Sequence, residues 1–410
     1  MIGFALAAFV TDKMGRRWPT VIFSTLILIN WIILYYSYEM YQFMLSRIIG
    51  GISVGAMISL TIFVTPEYCS PNTRVFYQNL VTTVTSSMGS AFSHALGIAF
   101  HWRFVALIGV IPTILGIVLP FFWVESPHWL ASKGKFEECK TAFRKLHNTN
   151  SERELELLIK METAKYKMAS ETNSRDTFKR LCRAFKMKYF WGLLMLSVFI
   201  HIYVAAAGKL LFSTLASVII SGITGTSDVL LYTLLVDGFI VVGSILSCLL
   251  IKTTSIRTLL FTTGFTANAI LVVFSACYYY QNGASYFNWI NVFLLACYFI
   301  IIHVGPIPLL EVILSELYPL ELKVYIFGIL GVILISMLSL TIVLQPVLVS
   351  SLGYHGLFLL NASIMSVCLG VIWLKLPDTD GRTLQEIEVY VKNNEFDVDV
   401  ILSRESKTLI

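Results

Sequence analysis

Apolar runs about one membrane thickness long alternate along this chain with short polar breaks. A helix that crosses about 30 Å of hydrocarbon needs about 20 apolar residues. Runs of that kind lie at 18–38, 41–63, 76–99 and 104–123, and again at 190–220, 229–251, 258–279, 289–314, 324–349 and 355–375. Between the two groups lies the one long polar stretch, Trp123 to Lys188, which holds 15 of the 30 Lys and Arg residues. The pattern predicts ten full spans plus a stub. Residues 1–10 are apolar but too short to cross, so the chain is expected to begin inside a helix, with about one and a half helices of the first half not included.

The divisions that follow are a first membrane half at 1–123, a linker at 124–188, a second six-helix half at 189–376 and a polar tail at 377–410. Within the linker, Phe136, Cys139, Phe143 and Leu146 recur at helical spacing, and Leu155, Leu158 and Ile159 repeat it. This predicts two to four short amphipathic helices at the membrane surface. Gly134 precedes the first of them.

Composition narrows the class. The chain is 56% hydrophobic and 13% charged, with a mean hydropathy of +0.75, where soluble domains carry about 25% charged residues. The fold class expected is an all-α polytopic membrane protein with lipid as its solvent. The net charge of +5 gathers in the loops at 11–17, 64–75 and 124–188 and in the tail, which alternation puts on one side. Basic loops mark the cytoplasmic face, and the plasma membrane is the expected location. This distribution does not point to nucleic-acid binding. No nucleophile–base arrangement, phosphate loop or metal-ligand spacing stands out, and the seven cysteines form no CxxC pair, so neither an enzyme nor a cofactor is expected.

An internal repeat sets the architecture. Glu67 precedes Arg74 by seven residues, as Glu316 precedes Lys323. Val124-Glu125-Ser126-Pro127 closes the first half as Pro377-Asp378-Thr379 closes the second, and Asp12 to Arg17 has a worn counterpart in Lys252 to Arg257. The offsets are 249, 253 and 240 residues, close enough to imply two homologous halves of six helices. Parallel repeats of this kind are a transporter plan with the solute at the midplane between halves. Asp12, Arg16, Arg17, Glu67, Arg74, Glu125, Glu316, Lys323 and Asp378 are therefore candidates for a charge network on the cytoplasmic rim, pairing when the halves close there.

These same residues carry a resemblance. Asp12-x-x-Gly-Arg-Arg17, Arg47-x-x-Gly-Gly51, Glu125-Ser-Pro-x-Trp-Leu130, Gly305-Pro-Ile-Pro308, Ser-Glu316-Leu-Tyr-Pro319 and Pro377-Asp-Thr-Asp-Gly-Arg-Thr-Leu384 resemble the signature set of the sugar-porter branch of the major facilitator superfamily. Insect hexose and trehalose facilitators are the nearest likeness within it. The resemblance implies facilitated sugar transport by alternating access, with no cofactor. The chain departs from that pattern where a sugar would be held. Thr82 and Thr83 stand where a Gln is usual, Phe199 to Lys209 lacks the usual Gln-Gln and Asn, Leu309 replaces a Trp, and Ser336-Met337 stands near the place of an Asn-Trp pair.

Polar residues inside lipid-spanning runs tend to face a cavity. The substrate-binding candidates are therefore Thr82, Thr83, Ser86, His201, Tyr203, Lys209, Asp237 and Glu311, with pairing of Glu311 to Lys209 for structure alone as the competing reading. A transporter of a non-sugar organic solute and a non-transporting sensor remain open beside the sugar reading.

Overall fold

The structure, a computed structural model, describes residues 2–147, 152–171, 188–208, 229–280, 285–318, 320–377 and 381–393. All its regular elements are helices among the described residues. The first half comprises α1 (Ile2–Met14), α2 (Arg17–Tyr35) and α3 (Met40–Tyr68). Then α4 (Pro71–Asn79) runs through a π turn (Leu80–Val84) into α5 (Thr85–Ala99), and α6 (Trp102–Val118) completes it. The linker supplies α7 (Pro127–Ser132), α8 (Phe136–Leu146) and α9 (Glu152–Glu171). The second half holds α10 (Lys188–Ala206), α11 (Val229–Leu250), α12 (Ile256–Tyr279), α13 (Ser285–Val304), α14 (Pro306–Leu317) and α15 (Leu320–Lys375), and the tail adds α16 (Leu384–Asn393).

Seven described stretches are long and apolar enough to cross a membrane. The run at 71–99 is not among them; it carries Arg74, Gln78, Asn79 and several hydroxyls, of which Arg74, Asn79 and Ser87 bond the second half. The single run read at 289–314 is α13 and α14, joined at Gly305, because Pro306 and Pro308 cannot continue the backbone ladder of α13. The run α15 contains two helices that meet at Gly353, whose φ of 69° is open to glycine at little cost.

Where Glu67, Pro71 and Arg74 read as one polar loop, the break is only Cys69 and Ser70. Glu67 closes the last turn of α3, and Pro71 opens α4, a position where its missing N–H costs nothing. This correction places both charges of the repeat on helices.

The largest core belongs to the second half, where Tyr203, Leu260, Phe274, Tyr298, Phe299, Phe358 and Leu369 interdigitate. The linker has a separate small core of Leu130, Cys139, Phe143, Leu155 and Leu158, built from the apolar faces of α7 to α9. The φ of 77° at Gly134 turns α7 into α8. The breaks at 15–16, 69–70 and 251–255 lie with the linker and α16 on one face. Trp129 Nε1 donates to Asp12 O at 3.1 Å, Arg74 Nη2 donates to Arg382 O at 2.8 Å, and Lys252 sits 4.3 Å over the Phe76 ring. The breaks at 36–39 and 100–101 and the bend at Gly353 face the opposite way, where Arg103 donates to Ser37 O and Ser275 to His355 O.

Candidate functional site

At the linker face the first half is tied together around one buried ion pair. Arg16 meets Glu67 through two parallel bonds, Nε to Oε2 at 2.8 Å and Nη2 to Oε1 at 2.7 Å. Ser126 Oγ donates to Glu67 Oε2 at 2.6 Å, which brings the start of the linker into the same cluster. Burial alone would favour a neutral Arg16, but the Glu67 carboxylate outweighs it and holds the guanidinium above its ordinary value. A fork-shaped donor on a carboxylate is the geometry that compensates two buried charges best.

Among the described residues, Glu125 pairs with no guanidinium. Its carboxylate accepts the backbone N–H groups of Arg16 at 2.8 Å and of Ser126 at 2.9 Å. It thereby covers the start of α2, whose first N–H groups have no partner within the helix. The turn that delivers these groups needs Gly15, at φ 87°, where an added Cβ would lie 2.5 Å from Glu125 Oε2. Gly15→Ala is expected to cost about 1–3 kcal/mol, from left-handed strain and collision together, read as a lowered midpoint in thermal unfolding.

Arg17, also placed in the charge network, donates to Phe121 O at 2.8 Å. The repeat reproduces this: Arg257 donates to Trp373 O and Leu376 O, each at 3.2 Å. Both arginines tie a helix start to the end of the last helix of their own half. Asp12 meets Lys133 at 3.3 Å on the surface.

The second cluster joins the halves. Arg74 Nε donates to Glu316 Oε1 at 2.7 Å, with both side chains 1% exposed. So Arg74 of one repeat takes the acid of the other repeat, not Glu67, its neighbour in sequence. The pair rests on that single bond: among the described residues, Arg74 Nη1 and Glu316 Oε2 have no hydrogen-bond partner. Lys323 and Asp378, the remaining members of the predicted network, lie outside what is described, Lys323 in its side chain and Asp378 altogether.

From this pair a polar seam follows α4, the π turn and α5 along α11. Asn79 Nδ2 donates to Ser247 Oγ at 2.9 Å, Ser87 and Ser244 share a hydroxyl bond at 3.1 Å, and His94 Nδ1 lies 2.6 Å from Asp237 Oδ2. Every one of these contacts crosses from one half to the other.

Of the solute-binding candidates, Thr83 is buried in this seam, and Thr82 bonds its own helix at Gln78 O. Ser86 faces outward, and the adjacent Ser87 is the residue that reaches the second half. His201 is buried with Nδ1 2.6 Å from Ser197 O. Glu311 is partly buried on α14. Tyr203 is fully buried in the second-half core, its hydroxyl without a partner among the described residues. Asp237 belongs to the outer end of the seam, with His94. Lys209 lies outside the described residues. Arg47 is exposed and stacks 4.7 Å over Phe43.

The family model described as "Sugar (and other) transporter" matches residues 1–390. The chain belongs to this family. It is 23% identical to "Sugar transporter ERD6-like 6" of Arabidopsis thaliana over 397 residues, covering 95% of this chain and 79% of that protein. It is 22% identical to "Probable metabolite transport protein CsbC" of Bacillus subtilis, covering 96% and 84%. Among solved structures, the proton:xylose symporter XylE bound to 6-bromo-6-deoxy-D-glucose is similar at a TM-score of 0.75 and 18% identity, covering 95% of this chain and 86% of that one. The human organic anion transporter MFSD10 is similar at 0.57 and 13% identity, covering 90% and 82%.

The fold of this transporter is thus that of the major facilitator superfamily, and the protein is not an enzyme. Sequence reasoning found the charged members of its clusters through their repeat. It missed Ser126 as a partner of Glu67, and Asn79, Ser244 and Ser247 as links between halves. Isolated hydroxyls and amides inside apolar runs carry little signal of their own, since most bond their own helix.

Proposed function

We propose that this transporter carries a sugar, a hexose or trehalose, across the plasma membrane by facilitated alternating access. The two halves rock about a site between them, with the linker, the Arg16 turn and the tail in the cytoplasm. The observation that carries this reading is the Arg74–Glu316 pair. It is buried, joins the halves at the face where the basic loops collect, and rests on one bond between opposed side chains. In the proposed cycle Arg74 and Glu316 are the lock of the cytoplasmic gate. Arg16, Glu67, Glu125, Arg17 and Asp12 hold the first half rigid behind it. The names of the plant relatives and of the xylose symporter favour sugar as the solute class.

A second reading, a charged organic solute, draws on Glu311 and His201 and on Asp237 beside His94, ionisable groups set within spans. Uptake of labelled glucose and trehalose into proteoliposomes separates the two. Saturable, cross-competing uptake of at least one of them is expected, and flat uptake of both would sink the sugar assignment.

A further inference from the structure

The polar seam between the halves carries a charged contact at each end. At the linker face it is Arg74 with Glu316, each 1% exposed. Toward the opposite face it is His94 with Asp237, Nδ1 to Oδ2 at 2.6 Å, the acid 4% exposed and the ring 35%. The contacts between them, Asn79 with Ser247 and Ser87 with Ser244, are neutral. His94 is the one ionisable side chain of α5, and Asp237 is the one charged side chain of α11. Either alone is costly within a span, and the fold sets the two singletons against each other. A proton on His94 Nδ1 bonds the carboxylate whether the ring is neutral or cationic. Arg103, the cation of α6, is engaged elsewhere: it donates to Ser37 O at 3.0 Å and lies 4.6 Å from the centre of the Tyr38 ring and 4.9 Å from that of Trp102. His303 of α13, a helix that also packs on α11, has Nδ1 2.9 Å from Phe299 O.

We propose that His94 and Asp237 form an outer lock: their bond holds the halves together on the face opposite the linker, and it parts each time that face opens. This deepens the proposed cycle and rests on its rocking of the halves. A carrier of two repeats opens its faces in turn, so a seam with a releasable contact at one end calls for another at the other end. The build of the pair suits release. It crosses from one half to the other and consists of one donor on one acceptor, as the Arg74–Glu316 pair does, whereas the fork of Arg16 on Glu67 stays within a half. Asp237 is thereby assigned to closure and not to solute contact. Removing His94 leaves the Asp237 carboxylate buried without its bond while the outer face is shut, and opening that face relieves the penalty.

The test contains no solute, so a role of Asp237 in holding solute would not move it. Spin labels are placed on cysteines at Tyr36 and Ser351, exposed on the outer face of opposite halves, and in a second sample at Lys13 and Thr254, exposed on the linker face. The background has the seven native cysteines replaced by alanine, and distances are read by pulsed electron resonance in nanodiscs. In the parent each label pair is expected to give a short and a long distance. His94→Ala is expected to move the outer pair about tenfold or more toward the long distance, and the linker-face pair toward the short one. His94→Gln, which keeps a donor, is expected to stay within about threefold of the parent. Combining His94→Ala with Asp237→Ala leaves no orphaned charge, which keeps the test open if the single variant does not fold; it is expected to shift the same way by a smaller factor. An outer ratio unmoved in the single and the double variant overturns the lock. So does a His94→Gln shift as large as that of His94→Ala, or a lengthening at both faces together, the mark of general loosening. A single distance at each face of the parent overturns the rocking reading itself, and the proposal with it.

Discussion

Arg74→Ala lowers maximal solute uptake at least tenfold while the protein still reaches the membrane in normal amount. The reasoning starts from burial. Arg74 and Glu316 are each 1% exposed, and removing one partner of a buried pair leaves the other charge uncompensated at a cost of about 3–5 kcal/mol. Because the two residues sit in different halves, that cost falls mainly on the conformation in which the halves meet at the linker face. With that face open, Glu316 gains water and loses most of the penalty. The substitution therefore shifts a conformational equilibrium more than it lowers folding stability. A carrier that must pass through both conformations in each cycle then stalls in one of them. Uptake into vesicles, normalised to protein in the membrane, is the measurement, and normal uptake by Arg74→Ala would refute the lock. The charge exchange of Arg74→Glu with Glu316→Arg is expected to recover part of the activity.

Glu67→Ala has a consequence of another kind, although the chemistry removed is similar. Arg16 and Glu67 share two bonds, Ser126 adds a third, and all three residues lie in the first half or at its junction with the linker. No rocking movement separates them, so the buried Arg16 charge has no conformation in which to find water. The expected effect is a loss of about 3–5 kcal/mol of stability, seen as a fall of on the order of 10 °C in the thermal midpoint of the purified protein. A midpoint unchanged within error, with uptake reduced, would instead make this pair part of the moving gate. The two pairs differ in build accordingly. The one within a half is forked and reinforced, and the one between halves is a single contact, with one atom on each side lacking a partner among the described residues.

The all-helical, membrane-spanning plan was legible because hydropathy is a signal summed over many residues. The charge clusters were legible through the repeat: Glu67 and Glu316 announce each other at 249 residues. Pairing was not. Spacing alone sets Glu67 beside Arg74, yet the helix ends turn Glu67 toward Arg16 and leave Arg74 for Glu316. Which partner wins depends on how helices from two halves abut, a relation with no local trace in the chain. The same limit explains Ser86 and Ser87. One residue of rotation decides which hydroxyl faces the other half, and the rotation is set by the π turn at Leu80–Val84 rather than by composition.

That turn does one more thing. Asn79 and Ser87, which both touch α11, are eight residues apart, whereas two ordinary helical turns advance about seven. A turn closed i to i+5 takes up one extra residue. It acts as a phase correction, keeping the contact line of this helix straight along its whole length when an unbroken α-helix would carry Ser87 and His94 around to the lipid. The outer half of the seam therefore depends on a count of residues in its middle, independent of which residues they are. Sequence changes that alter side chains there are tolerable to this alignment, and a change of length by one is not.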